Sequence, residues 1–188
     1  MRHIYVLLTR SGSVVSRAIS LTTGDLFTHA SIAYDDSLFT LCSFARRYQR
    51  LIIPAGLVNE RLESGYYHSH SYIPCALMRL TVPDEVYLSV RNIVGGMLSE
   101  RKKYRYDTIG LLLCRLGRSY NREKHYFCSR FVGEMLLQSG AIASLPKPAA
   151  LMRPQDFLLM PELELVYMGS MDGLVKSVRQ DSAKPLAV

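Results

Sequence analysis

The chain is predicted to be an α+β domain on three observations. Short runs rich in β-branched and aromatic residues, separated by turn residues, recur up to Val82. A helical apolar stripe follows them, and further helical segments succeed it before a last strand-like run. The resulting order is strand, helix, hairpin, strand, helix, helix, helix, strand. That is not the strict βα alternation of a doubly wound sheet.

Residues 3–9 read as a first strand. Val14, Val15, Ala18, Ile19 and Leu21 then stand roughly at helical spacing, and Gly24-Asp25 closes that segment. THASIAY (28–34) and LFTLCSF (38–44) are two β-type runs separated by Asp35-Asp36-Ser37, a hairpin signal. The stretch 51–71 is broken by Pro54, Gly56 and Gly65 and reads as irregular loop. Residues 72–82 form another strand. Pro83-Asp84 opens a helix whose stripe is Val86, Val90, Ile93, Val94, Met97 and Leu98 and which extends to about residue 103. DTIGLLLCRLG is a shorter helix, apolar enough to be expected in the core. A helix from Cys128 to Gln138 is closed by Gly140, and LELVYMG (163–169) is the last strand.

The 188 residues suit one domain, over 1–171, followed by a tail at 172–188 whose weak pattern suggests partial disorder. Hydrophobic residues at 48% and charged residues at 21% are ordinary for a globular chain. No apolar run reaches membrane-helix length, and no export signal is read at the N-terminus, so the expected compartment is the cytoplasm. Cys42, Cys75, Cys114 and Cys128 form no CxxC pair, which argues against a metal framework; no metal or other cofactor is expected. The net charge of +7 comes without a nucleic-acid recognition motif, so no nucleic-acid partner is expected. Its excess lysine and arginine would also suit peripheral contact with anionic lipid.

Cys128 is singled out by its position. A polar, basic loop precedes it and an apolar helix follows, so unpaired N–H groups and the positive end of the helix dipole would stabilise a thiolate there. A small buried hydrophobe would fit the same place. Cys42, Cys75 and Cys114 sit inside apolar runs and read as core. A nucleophilic thiolate needs a histidine beside it. His3 lies on a core strand, His68 and His70 share a tyrosine-rich loop, and His125 belongs to the pre-helix loop. His29 begins a strand flanked by the small residues Ala30, Ser31 and Ala33, which leave room for another element.

FTHASIAYD, followed about a hundred residues later by YFCSRFVGEML, resembles the circularly permuted papain-like cysteine hydrolases. That group includes the YiiX/YebB-like branch of the NlpC superfamily and, more distantly, the lecithin:retinol acyltransferase type. Its histidine strand precedes its cysteine helix, as here. SFARR, YRYDTIGLL and LMRPQDF carry the likeness further along the chain. The resemblance implies a small antiparallel sheet packed on helices, with Cys128 as nucleophile and His29 as general base. It also implies a polar residue on the next strand that orients the imidazole. LFTLCSF offers no carboxylate, amide or imidazole, so Ser43 is assigned that role, with Thr40 or a backbone carbonyl as alternatives. Tyr126 and the Cys128 backbone N–H are candidates for stabilising an oxyanion. Tyr34 is a further substrate-side candidate, although it and Asp107 are simply read as structural polar residues.

The activity so implied is cleavage of an amide, ester or thioester through a thioacyl-enzyme, on a peptide, a cell-wall fragment, a lipid or a small molecule. The alternative is a non-catalytic domain that keeps the fold and binds a lipid or peptide.

Overall fold

The structure, a computed structural model, describes residues 1–10, 24–35, 37–38, 40–46, 55–62 and 72–182. The helix predicted around Val14–Leu21, and His68 and His70, lie outside the described residues. Among the described residues, eight strands form one sheet: β1 (Arg2–Thr9), β2 (His29–Ala33), β3 (Leu41–Arg46), β4 (Ala55–Glu60), β5 (Pro74–Val82), β6 (Arg105–Tyr106), β7 (His125–Tyr126) and β8 (Glu164–Ser170). Their order is β7-β6-β4-β3-β2-β1-β5-β8, antiparallel except for the β6–β7 pair. The helices are α1 (Asp84–Ser99), α2 (Thr108–Arg115), α3 (Cys128–Gln138) and α4 (Met171–Ser182). The expected α+β class fits this mixture.

Alternation along the strands builds two cores. Ile4, Val6 and Leu8 of β1 point to one face with Ile32, Phe44, Leu57 and Met78. That face is covered by Val90, Val94 and Met97 of α1 and by Phe131, Val132, Met135 and Leu136 of α3. Tyr5, Leu7, Ala33, Leu41, Cys75 and Leu77 face the other way and meet Met171 and Leu174 of α4. Both faces of β1 are therefore covered, which is why its sequence is a continuous apolar run instead of an alternating one.

Three readings change. Residues 172–182, expected as tail, continue α4: Met171 and Leu174 are 1% exposed and Val175 and Val178 pack beside them. A single narrow stripe in a mostly polar helix gives too weak a periodic signal to read without the sheet it rests on. The loop between β2 and β3 is longer than a tight hairpin, because Leu38 takes a left-handed φ of 53° and β3 begins only at Leu41. Lastly, the stretch taken as irregular contains β4, a six-residue strand paired along its whole length with β3.

Candidate active site

The sheet register assembles one polar cluster. Ala33 lies opposite Leu41 and Leu41 opposite Glu60, so these three share a face. Counting by twos, back along β2 and forward along β3, adds Ser31, His29 and Ser43 to that face. Their side chains converge on a single carboxylate oxygen. Ser31 Oγ and Ser43 Oγ each donate to Glu60 Oε2 at 2.8 Å. His29 Nε2 stands 3.3 Å from the same oxygen and 3.3 Å from Ser31 Oγ. The His29 and Glu60 side chains are 13% and 17% exposed.

Cys128 completes the cluster from the other side. Phe127, extended at φ −108° and ψ 166°, delivers the chain into α3, whose first residue is Cys128. No acidic residue occupies the first turn, so the positive end of the helix is left to the sulfur. Ser129 Oγ donates to Met152 O at 2.6 Å, which ties the helix start to the chain that leads into the 3-10 turn Pro154–Leu159. Cys128 stands beside His29 and the backbone N–H groups of Ala30 and Ser129, near enough for all three to stabilise a thiolate. Because Nε2 is engaged by Glu60 and Ser31, Nδ1 is the ring nitrogen left to face the thiol.

The electrostatics follow from these contacts. Burial alone would push the Cys128 thiol up. The hydrogen bond and charge of His29, with the N–H groups of Ala30 and Ser129, outweigh it and hold the thiol below its ordinary 9.0. Burial likewise opposes charge on His29, but the Glu60 carboxylate and the Cys128 partner raise the imidazole well above 6.5. Glu60 is also opposed by burial, yet His29, Ser31 and Ser43 hold its carboxyl below 4.5. The arrangement therefore favours a thiolate–imidazolium pair supported by a carboxylate. The other cysteines differ: burial pushes Cys42 and Cys75 up to about 12 and raises Cys114 as well.

A narrow cleft opens onto the sulfur between α2 and the segment around Arg153. Thr28, Tyr106, Leu111, Cys114, Arg115 and Arg153 line it with Cys128. Tyr106 is placed where Tyr126 had been expected. Burial, then the negative charge at Cys128, raises the Tyr106 phenol far above the usual range. Tyr126, two residues before Cys128, faces away instead. Its ring packs on Phe44, Phe131 and Tyr104 and lies under the Arg130 guanidinium.

The remaining named residues separate in the same way. Ser43 is in the cluster, but its hydroxyl reaches Glu60 and not the imidazole. Thr40 precedes β3, with its N–H on Asp35 Oδ2 at 3.0 Å, at the end of β2 away from His29. Tyr34 follows β2 at the end away from His29 and lies beside Cys42 and Asp35. Asp107 caps α2 by accepting the Gly110 N–H at 2.9 Å and stands 3.7 Å from Arg130 Nη1, so it is structural. Glu60 is the residue that inspection of the sequence missed. It lies two strands beyond His29, in a segment whose Pro54 and Gly56 hid a strand, and only a carboxylate soon after Leu57-Val58 marked it. Among the described residues no group of three His, Cys, Asp or Glu side chains is placed to hold a metal ion.

The geometry predicts selective alkylation. Iodoacetamide at about pH 6 should modify Cys128 and spare Cys42, Cys75 and Cys114 in the folded protein, as read by peptide mass mapping. Equal labelling of all four, or labelling only near their ordinary pKa, would contradict the charge state described.

No protein-family model matches the chain, and no curated protein and no solved structure is a significant match to it.

Proposed function

We propose that the protein is a cysteine hydrolase or acyltransferase of the permuted papain-like kind, working through a thioacyl-enzyme. The observation that carries this reading is the continuous contact from Cys128 through His29 to Glu60 at the start of α3. In the reaction, His29 holds the thiol proton and the Cys128 thiolate attacks the carbonyl carbon of an amide, ester or thioester. A C–S bond forms and the carbonyl oxygen becomes an oxyanion, with N–H groups at the helix start and the Tyr106 hydroxyl as the available donors. The tetrahedral adduct collapses, breaking the bond to the leaving group, which takes its proton from the imidazolium. Water or another acceptor then attacks the thioester, giving its proton to His29, and the cysteine is released. Glu60 fixes the ring orientation and stabilises its charged form throughout.

A non-catalytic binding domain would be favoured by the lack of a group that orients His29. Glu60, held by two serine hydroxyls, supplies that group. The substrate class proposed is an acyl group on a peptide, a cell-wall fragment or a lipid. A panel of activated esters, thioesters and peptide amides, followed by intact mass measurement, tests the reading. The wild type is expected to carry a covalent acyl adduct mapping to Cys128 and to turn over at least one class, and Cys128→Ala to do neither. An adduct on another residue, or a folded wild type inert to the whole panel, would refute it.

A further inference from the structure

Helix α2 is built inside out. Gly110 and Cys114 are buried, as the expected core placement of this segment requires. Ile109, Leu112 and Leu116, however, are 53%, 63% and 65% exposed. Their spacing of three and four residues makes one stripe along the outer side of the helix. A lone exposed leucine needs no explanation, but an aligned stripe of branched apolar side chains is a surface with a partner.

Two neighbouring features say what that partner is. The chain that leaves the stripe, RLGRSYNREK, carries Arg115, Arg118, Arg122 and Lys124 against a single acid, Glu123. Arg118 and Lys124 are exposed, and the amphipathic ring of Tyr120 is exposed among them. The second feature is position. The flank of α2 formed by Leu111, Cys114 and Arg115 lines the cleft over Cys128. Thr28 lines that cleft too, and Leu26, two residues before it, is 43% exposed. Apolar residues facing outward, a basic collar and an interfacial tyrosine are the composition of a segment that lies in a lipid headgroup layer. The three stripe side chains are more than half exposed, so they stand out from the surface as a fluid bilayer accommodates.

We propose that Ile109, Leu112 and Leu116, with the basic segment after them, dock the protein on an anionic phospholipid bilayer and hold the Cys128 cleft at its surface. The docking does not depend on the reaction proposed for Cys128.

The test is co-sedimentation of the full chain with phosphatidylcholine vesicles and with vesicles containing roughly one third phosphatidylglycerol. The protein is expected to sediment with the anionic vesicles, much less with the neutral ones, and to be released by raised salt. The triple variant Ile109→Ser, Leu112→Ser, Leu116→Ser should lower partitioning by roughly tenfold or more, and Arg118→Glu with Arg122→Glu should do likewise. Cys128→Ala should bind as the wild type does, so a failure of the proposed reaction leaves this result intact. Alkylation of Cys128 in the triple variant should remain at wild-type rate, which shows that the cleft is still folded. Absence of binding to anionic vesicles would overturn the proposal. So would a triple variant that binds undiminished, or a wild-type dimer in sedimentation velocity that the triple variant dissolves, since the stripe would then cover a second copy.

Discussion

His29→Ala is expected to slow acyl-enzyme formation by about 10²- to 10⁴-fold, the range over which a positioned acid–base group contributes. Two losses combine. The thiol loses its proton acceptor, and it loses the imidazolium charge that, with the Ala30 and Ser129 N–H groups, offsets the cost of burying a thiolate. Cys128 should consequently return toward or above its ordinary 9.0, and iodoacetamide labelling should shift to alkaline pH in the same variant. Stopped-flow acylation and the pH profile of alkylation measure the two effects separately. Unchanged low-pH alkylation in His29→Ala would mean that the helix start alone maintains the thiolate and that the pair is not the activating device.

The second large effect belongs to Glu60. Glu60→Ala leaves the Ser31 and Ser43 hydroxyls and a charged imidazole without their shared acceptor in a largely buried place. Breaking a buried pair from one side costs about 3–5 kcal/mol, so denaturant unfolding should record a loss of that order. Glu60→Gln keeps the volume and one acceptor oxygen but removes the charge. Since the carboxylate charge raises the His29 pKa, Glu60→Gln should lower it, narrowing the alkaline side of the kcat/KM profile. Stability should follow the same signs. The Glu60 contribution is present above its ordinary 4.5 and is lost as pH falls through its depressed folded value. The His29 contribution is complete below 6.5 and is lost as pH rises through its raised folded value. A Glu60→Gln profile superimposable on the wild type would remove Glu60 from its positioning role.

The same cluster shows which parts of the protein were legible beforehand. Cys128 stood out because a basic loop, a single cysteine and an apolar helix follow one another within a dozen residues, and α3 begins at that cysteine. His29 stood out because it opens a strand with small neighbours, and β2 begins there. Both are properties of a few adjacent residues. Glu60 had no such context: its strand follows a proline and contains a glycine, and its partners lie 17 to 31 residues away along the chain. Ser43 was noticed for a direct role on the imidazole, and its hydroxyl instead holds the carboxylate that does this.

By itself, then, the order of residues determined the α+β class, the long helix α1, the strands β1, β2 and β5, and the start of α3, because each is written in local periodicity and capping. Tertiary structure alone decided three things. It placed Glu60 opposite Leu41 through the β3–β4 register, turned Tyr126 away from the sulfur while bringing Tyr106 to it, and left the apolar stripe of α2 facing outward. The physical reason is common to all three. A register or a helix rotation is chosen by the total packing of elements distant in sequence, and a one-residue strand slip moves every side chain to the other face, while one residue on a helix turns it by about 100°.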